Sequence, residues 1–237
     1  MPGMIRSIVQ NQLGRFRRTM RHPDEVSRLE YQSRYIDFRI QPGMRVLDIG
    51  SGGHPFPYAT ILVERFIEPV FRYEALVTNN KPLVLADIHH LPFPTKSFDF
   101  VYSSHVLQNN EDPIQASLEI MRVGKRGYIE TPTLGKDALF AWARNIQRWH
   151  VVGIGSRLCF FEYTDRQLDG INSSAWRDLI HGNKPHALQE AFRNNQDIFN
   201  VMFPWEETFS VVVFYLDGSM RTLNASPEAT PVPSLSS

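Results

Sequence analysis

The sequence predicts an α/β fold built on a doubly wound, mostly parallel sheet. Short apolar runs recur between residues 44 and 132, separated by helical or loop connections, as strands joined by crossovers would be. The first run, "VLDIG", passes straight into a glycine-rich turn, as the first strand of many ligand-binding α/β sheets does. An amphipathic stretch, "DPIQASLEIMRVGK", separates the last two runs at helical spacing.

The elements follow in order. Residues 1–22 carry Arg6, Arg15, Arg17, Arg18 and Arg21 and no acid, with Ile5, Ile8, Val9, Leu13 and Phe16 near helical spacing. Two readings compete there: a decorating helix with a solvated basic face, and an interfacial helix in weak contact with an anionic membrane surface or a charged polymer. Pro23-Asp24-Glu25 opens a further helix, with Val26, Leu29, Ile36 and Ile40 on one face and Gln41-Pro42-Gly43 as its end. Strands are expected in "MRVLDIG" (44–50), "ATILVERF" (59–66), "PLVLADI" (82–88), "SFDFVYSS" (97–104) and "RGYIETP" (126–132). Ile114, Leu118 and Met121 share a helical face that stops at Gly124.

Beyond residue 132 the pattern changes. A helix is expected over 136–148 and a hairpin over 148–163, turning at 153–156. Two helices over 165–195, broken near 182–185, then lead to a final pair of strands in "DIFNVMF" and "FSVVVFYL". From Asn224 the chain is rich in Pro, Ser and Ala and is expected to be disordered. The organisation is thus an N-terminal helical extension (1–43), a main domain (44–223) carrying an insertion (133–209), and a tail (224–237).

Composition narrows the classes. The 237 residues are 42% hydrophobic with a net charge of zero, so no global charge argues for a specific nucleic-acid partner. Cys159 is the single cysteine, which excludes an intrachain disulfide and a cysteine-based metal site. No apolar run is as long as a membrane span, and the apolar start is broken by Arg6, Gln10, Asn11 and Gln12, unlike a secretory signal. A cytoplasmic protein is expected.

The glycine turn carries the chemistry. A phosphate-binding P-loop needs Lys-Ser or Lys-Thr after its last glycine, and neither is present. A dinucleotide loop needs G-x-G-x-x-G; Gly50 and Gly52 fit, but the third position is Pro55. The remaining pattern is D-x-G-x-G, from Asp48, Gly50 and Gly52. It suits a ligand with a ribose and an amino-acid end, namely S-adenosylmethionine. Glu64, closing the second strand, could accept both ribose hydroxyls, with Glu68 and Glu74 as alternatives. It comes early, so "HPFPYA" must replace most of the first crossover helix, which places His54 near the cofactor. Asp87, followed by Ile88, Leu91 and Phe93, offers an acceptor and an apolar slot for adenine; the competing reading of Asp87 is a turn acid.

Taken in order, "VLDIGSGG", "ADIHHLPFPTKSFDFVYSSHVLQNNEDP" and "EIMRVGKRGYIETP" resemble the class I, Rossmann-like S-adenosylmethionine-dependent methyltransferases, and most of all their type 11 group. The likeness runs from about 44 to 132. It implies a sheet of about seven strands, parallel but for the last, with the cofactor at the carboxyl ends. It further implies that Asp48, Gly50, Ser51, Gly52 and Gly53 line the methionine and ribose, that Glu64 holds the ribose, and that Asp87 and Ile88 hold the adenine. Ser103, Ser104 and His105 would then lie beside the methionine end. Gln108 and Asn109 stand where relatives often carry Glu-His.

The function expected is methyl transfer to a small-molecule or glycan acceptor. The alternatives are a non-catalytic S-adenosylmethionine-binding scaffold, favoured by Gln108-Asn109, and an NAD-dependent oxidoreductase, disfavoured by Pro55. His105 and His150 are the candidate bases, with Glu130 and Thr131 as candidate acceptor contacts. No metal is expected, because no acids occur at ligand spacing. "SSHVLQ" lacks the Asn/Asp-Pro-Pro-aromatic pattern of DNA amino-group methylation. Cys159 is misplaced and lacks the preceding proline for a cytosine C5 nucleophile. Trp142, Trp149, Phe160, Phe161, Tyr163, Trp176 and Trp205 form either an insertion core or an aromatic platform for the acceptor.

Overall fold

A computed structural model describes residues 28–68, 75–139, 147–170 and 187–225. The five expected strands are present: β1 (Val46–Ile49), β2 (Ile61–Glu64), β3 (Leu83–Leu85), β4 (Phe100–Ser104) and β5 (Arg126–Pro132). They are followed by β6 (Trp149–Ile154), β7 (Arg157–Glu162), β8 (Asn200–Glu206), β9 (Ser210–Phe214) and β10 (Met220–Leu223). The described helices are α1 (Arg28–Gln32), α2 (Pro113–Val123), α3 (Leu134–Leu139), α4 (Asp165–Gly170), α5 (Ala187–Asn194) and α6 (Gln196–Phe199), with a 3-10 turn at Leu107–Asn109.

The main sheet has six strands in the order β3-β2-β1-β4-β5-β8. The first five are parallel and β8 runs antiparallel to β5, with Gly127 opposite Trp205. β1 and β4 are buried along their whole length, which is why they read as continuous apolar runs. Among the described residues this sheet has six strands, where about seven were expected, and the chain leaves it after β8. The "final pair" of strands is therefore not a pair. β9 lies parallel to β7, so β10-β9-β7-β6 form a second sheet that includes the predicted hairpin. β10 escaped the sequence reading, although Asp217-Gly218, a strong hairpin-turn dipeptide, marks it; Gly218 there has φ 82°.

The two faces of the main sheet are covered differently. On one, α2 and the inner side of the second sheet bury Leu47, Ile49, Val101, Ile120, Ile129, Trp149, Phe160 and Val211 in one cluster. Asp112 caps α2, accepting from the N–H groups of Ile114 (3.0 Å) and Gln115 (3.1 Å), with Pro113 in the first turn. On the other face, among the described residues, aromatic side chains from irregular chain pack against the sheet. Phe38 and Phe56 pack with Val46, Leu62, Phe100, Tyr102 and Tyr128, and Phe56 stacks on Tyr102 at 4.1 Å.

The helix expected to run to Ile40 ends at Gln32. Ile36, Phe38 and Ile40 instead follow a period of two on irregular chain laid over the sheet. Arg126 at the start of β5 pins that segment, donating to the carbonyls of Phe38 (2.8 Å) and Arg39 (2.7 Å). The helix expected over 136–148 begins at Leu134, and residues 147–148 already lead into β6. Val26, Glu74, Trp142 and Trp176 lie outside the described residues, as do the basic stretch 1–22, the break near 182–185 and most of the tail. Trp149, Phe160, Tyr163 and Trp205 are core; Phe161 keeps 38% exposure. No described helix is long and apolar enough to cross a membrane.

Candidate functional site

No helix stands between β1 and β2; residues 50–60 are turns and irregular chain. Asp48 organises this shortcut. Its Oδ2 accepts the Phe56 N–H at 2.7 Å, which folds the loop back and seats the Phe56 ring on the sheet. Asp48 is therefore turned toward the inner side of the loop. Burial pushes its carboxyl up to about 7, against the lowering by the Phe56 amide.

Gly50 and Gly52 both adopt left-handed backbone, with φ 72° and 55°. A Cβ on Gly50 would strike Val106 Cγ2, whereas a Cβ on Gly52 would meet nothing within 4 Å among the described residues. The carboxylate of Glu64, at the end of β2, accepts the Gly52 N–H and, at 3.3 Å, the Ser51 hydroxyl. Loop and second strand are thus locked together at the carboxyl edge. His54 closes the turn by donating its N–H to the Ser51 carbonyl at 3.1 Å, and Gly53 sits between them.

Asp87 accepts from the His89 N–H (2.9 Å) and stands 2.6 Å from His89 Nδ1 and 3.2 Å from Arg65. Burial opposes its charge, but His89 and then Arg65 outweigh burial and hold the carboxyl below its ordinary range. Ile88 and Leu91 belong to the core beneath it. Arg122 and Glu119 of α2 hold the 89–93 loop. Arg122 donates to the carbonyls of Leu91 (2.9 Å) and Phe93 (2.7 Å), and Glu119 accepts the Leu91 N–H (2.6 Å). These bonds to backbone groups tie the loop that carries Leu91-Pro92-Phe93 to helix α2.

The ends of β4 and β5 hold a buried polar network. The fully buried carboxylate of Glu130 accepts from Tyr31 Oη (2.6 Å), Tyr128 Oη (2.6 Å), Gln32 Nε2 (2.9 Å) and Ser104 Oγ (3.2 Å). Burial works against its ionised form, but the His105 ring, Lys136 and the Tyr128 hydroxyl hold its carboxyl well below the usual range. Burial and then the Glu130 charge keep Tyr31 and Tyr128 protonated. Tyr102 Oη exchanges hydrogen bonds with the Gln32 amide at 2.9–3.0 Å.

His105 Nε2 lies 3.2 Å from Glu130 Oε1 and 3.3 Å from Lys136 Nζ, and Lys136 also donates to Asn200 Oδ1 at 2.7 Å. Desolvation, then the Lys136 charge, lowers the His105 pKa to about 4 in spite of Glu130, so the ring is neutral at pH 7. Ser103 is buried with its hydroxyl unpartnered, as are Thr131 Oγ1 and the side-chain carbonyl oxygens of Gln108 and Asn109. His150 lies elsewhere. It sits on β6 in the second sheet, its ring beside Phe161 and Tyr163 and its Nδ1 buried without a partner. Among the described residues no group of three or more His, Cys, Asp or Glu could hold a metal ion.

The structure thus gathers Asp48, Gly50, Ser51, Gly52, Gly53, His54 and Glu64 in one loop–strand unit, and Ser104, His105 and Glu130 in one network. Tyr31, Gln32, Lys136 and Asn200 were missed by the sequence reading. Their partners lie tens of residues away in the chain, and no local pattern marks them.

The described main sheet has six strands with a reversed last strand, and an acid-led glycine loop lies at its carboxyl edge. Residues 47–129 match the family described as "Methyltransferase domain", in agreement with the resemblance of this segment to the class I, type 11 methyltransferases, whose cofactor is S-adenosylmethionine. Among curated proteins, the chain is 30% identical over 159 residues to a malonyl-[acyl-carrier protein] O-methyltransferase of Halorhodospira halophila, covering 56% of this chain and 52% of that protein. It is 31% identical over 105 residues to a cycloartenol-C-24-methyltransferase of Arabidopsis thaliana, covering 39% and 31%. The chain therefore spans about half the length, or less, of these curated relatives. A similar solved structure is a methyltransferase of Thermotoga maritima, a possible histamine N-methyltransferase (24% identity, 40% of this chain and 46% of that one, TM-score 0.32). Another is an S-adenosylmethionine-dependent methyltransferase of Mesorhizobium loti (14%, 78% and 99%, TM-score 0.42).

The residues present fit S-adenosylmethionine. Among the described residues nothing lies within 4 Å of a Cβ built on Gly52, Glu64 supplies a carboxylate at the end of β2, and the unpartnered Ser103 hydroxyl lies one residue before the end of β4.

Proposed function

We propose that the protein transfers a methyl group from S-adenosylmethionine to a small-molecule acceptor. The observation that carries this reading is the loop of residues 48–56, left-handed at Gly50 and Gly52 and locked to Glu64 beside open space. Bound S-adenosylmethionine supplies a methyl group already activated on a sulfonium. The chain's own task is then alignment and exclusion of water. Glu64 would take the ribose hydroxyls, the Gly50–Gly53 backbone and Ser103 the methionine portion, and Asp87 the adenine amino group above Ile88. His105 stands after β4 as a neutral imidazole able to hydrogen-bond an acceptor.

The curated relatives are named for a carrier-bound malonyl group and a sterol. Their shared feature, a small organic acceptor, supports the class we propose. A glycan acceptor is the second reading. Phe161, partly exposed and stacked on Phe214 at 4.7 Å, offers the flat aromatic surface that a sugar ring uses.

The test is incubation of the full chain with methyl-labelled cofactor and a fractionated small-molecule extract. Label should enter a product, and Gly52→Trp, which fills the open space above the loop, should abolish it with the far-UV spectrum retained. Label that never leaves the cofactor would favour the scaffold alternative.

A further inference from the structure

We propose that Tyr31, Gln32 and Glu130 are positioning residues that hold His105 in place for methyl transfer, so that helix α1 is a working part of the active site. This rests on the function proposed above. His105 has φ 60°, a left-handed backbone that a residue with a Cβ rarely adopts and that clusters at functional sites. It follows β4 directly, at the edge of the sheet where α/β folds bind ligands. Two groups of the same residue locate it. Its N–H donates to the Glu130 carbonyl at 2.8 Å, and its ring stands 3.2 Å from the Glu130 carboxylate.

The Glu130 carboxylate is fixed in turn by four hydroxyl or amide donors, two of which come from α1. Burying a charge here costs more than an apolar strand end would. The network is almost wholly enclosed: Glu130, Gln32 and Tyr128 are 0% exposed, whereas the His105 side chain keeps 22%. The imidazole is thus the face that the network presents outward, with Lys136 at its shoulder. A neutral ring held in this way can hydrogen-bond an acceptor without adding positive charge beside a sulfonium.

The experiment uses the full chain with ¹⁵N-labelled histidine. Its readouts are the His105 ring resonances, cofactor affinity by calorimetry, and the label-transfer rate. Tyr31→Phe keeps the ring of Tyr31 and removes one hydrogen bond. It should shift the His105 resonances and lower transfer about tenfold, with cofactor affinity changed by less than about threefold. Glu130→Gln should shift the same resonances further. His105→Gly relieves the left-handed backbone, so it should melt at the same temperature or higher while transfer falls by about 100-fold or more. Tyr31→Phe and Glu130→Gln proteins that fold yet leave the His105 resonances unmoved would overturn the proposal. So would a His105→Gly protein that transfers at the wild-type rate. If the wild-type protein bound no cofactor, the proposed function would fail, and the ring resonances would still decide whether α1 positions His105.

Discussion

Asp48 and Glu130 are both buried carboxylates near strand ends on the same face of the sheet, yet their pKa values are shifted in opposite directions. Asp48 is held by the Phe56 amide, and burial pushes it up to about 7. Glu130 has four donors, the His105 ring and Lys136 nearby, and it stays ionised. The number of hydrogen-bond donors decides between desolvation and charge. Because the folded-state pKa of Asp48 lies above its unfolded value, its contribution to stability is complete below about 4 and is lost as pH rises through about 7. Asp48→Asn keeps an acceptor for the Phe56 N–H and cannot ionise. Its melting temperature should therefore gain on the wild type between pH 5 and pH 8. A difference that stays constant over that range would contradict this account of Asp48. The acid-led loop was legible in the sequence because glycine spacing is local. The partners of Glu130 were not, since Tyr31 and Gln32 sit 99 and 98 positions away.

The loop between β1 and β2 works as a substitute for a crossover helix. Phe56 fills the face that such a helix would cover, and it is among the largest fully buried side chains. Phe56→Ala should lower unfolding stability by ~3–5 kcal/mol, read from the urea midpoint; a loss under about 1 kcal/mol would show that the loop does not carry that layer. The early Glu64 and the paired prolines made this shortcut readable in advance. On the opposite face, α2 grips the 89–93 loop through Arg122 and Glu119. Arg122→Ala should weaken S-adenosylmethionine binding by roughly tenfold in a calorimetric titration, since it releases charged hydrogen bonds behind the proposed adenine slot. Unchanged affinity would remove the loop from the cofactor site. The end of α1 was misjudged for a definable reason. Ile36 and Ile40 fit a helical spacing, but Phe38 between them gives a period of two, and Tyr31 and Gln32 face a buried carboxylate that apolar periodicity does not register.

At the scale of the molecule, the parallel core and the reversed last strand of the main sheet position the loop after β1 beside the network after β4 and β5. Strands β1 to β5, α2 and the β6–β7 hairpin were readable because local apolar runs and turn residues specify them. The second sheet was not, because the parallel β7–β9 pairing joins segments about fifty residues apart and only tertiary packing selects it. Its inner side, with Trp149, Phe160 and Val211, completes the core that supports β4. The proposed function places the cofactor at this carboxyl edge, over Gly52 and near Glu64, Asp87 and His105. Calorimetric titration of the full chain with S-adenosylmethionine, with NAD as the comparison, tests this most directly. The account predicts one-to-one binding of S-adenosylmethionine in the micromolar range, lost on Asp87→Ala, and no heat with NAD. No heat with S-adenosylmethionine at high micromolar concentration would contradict it.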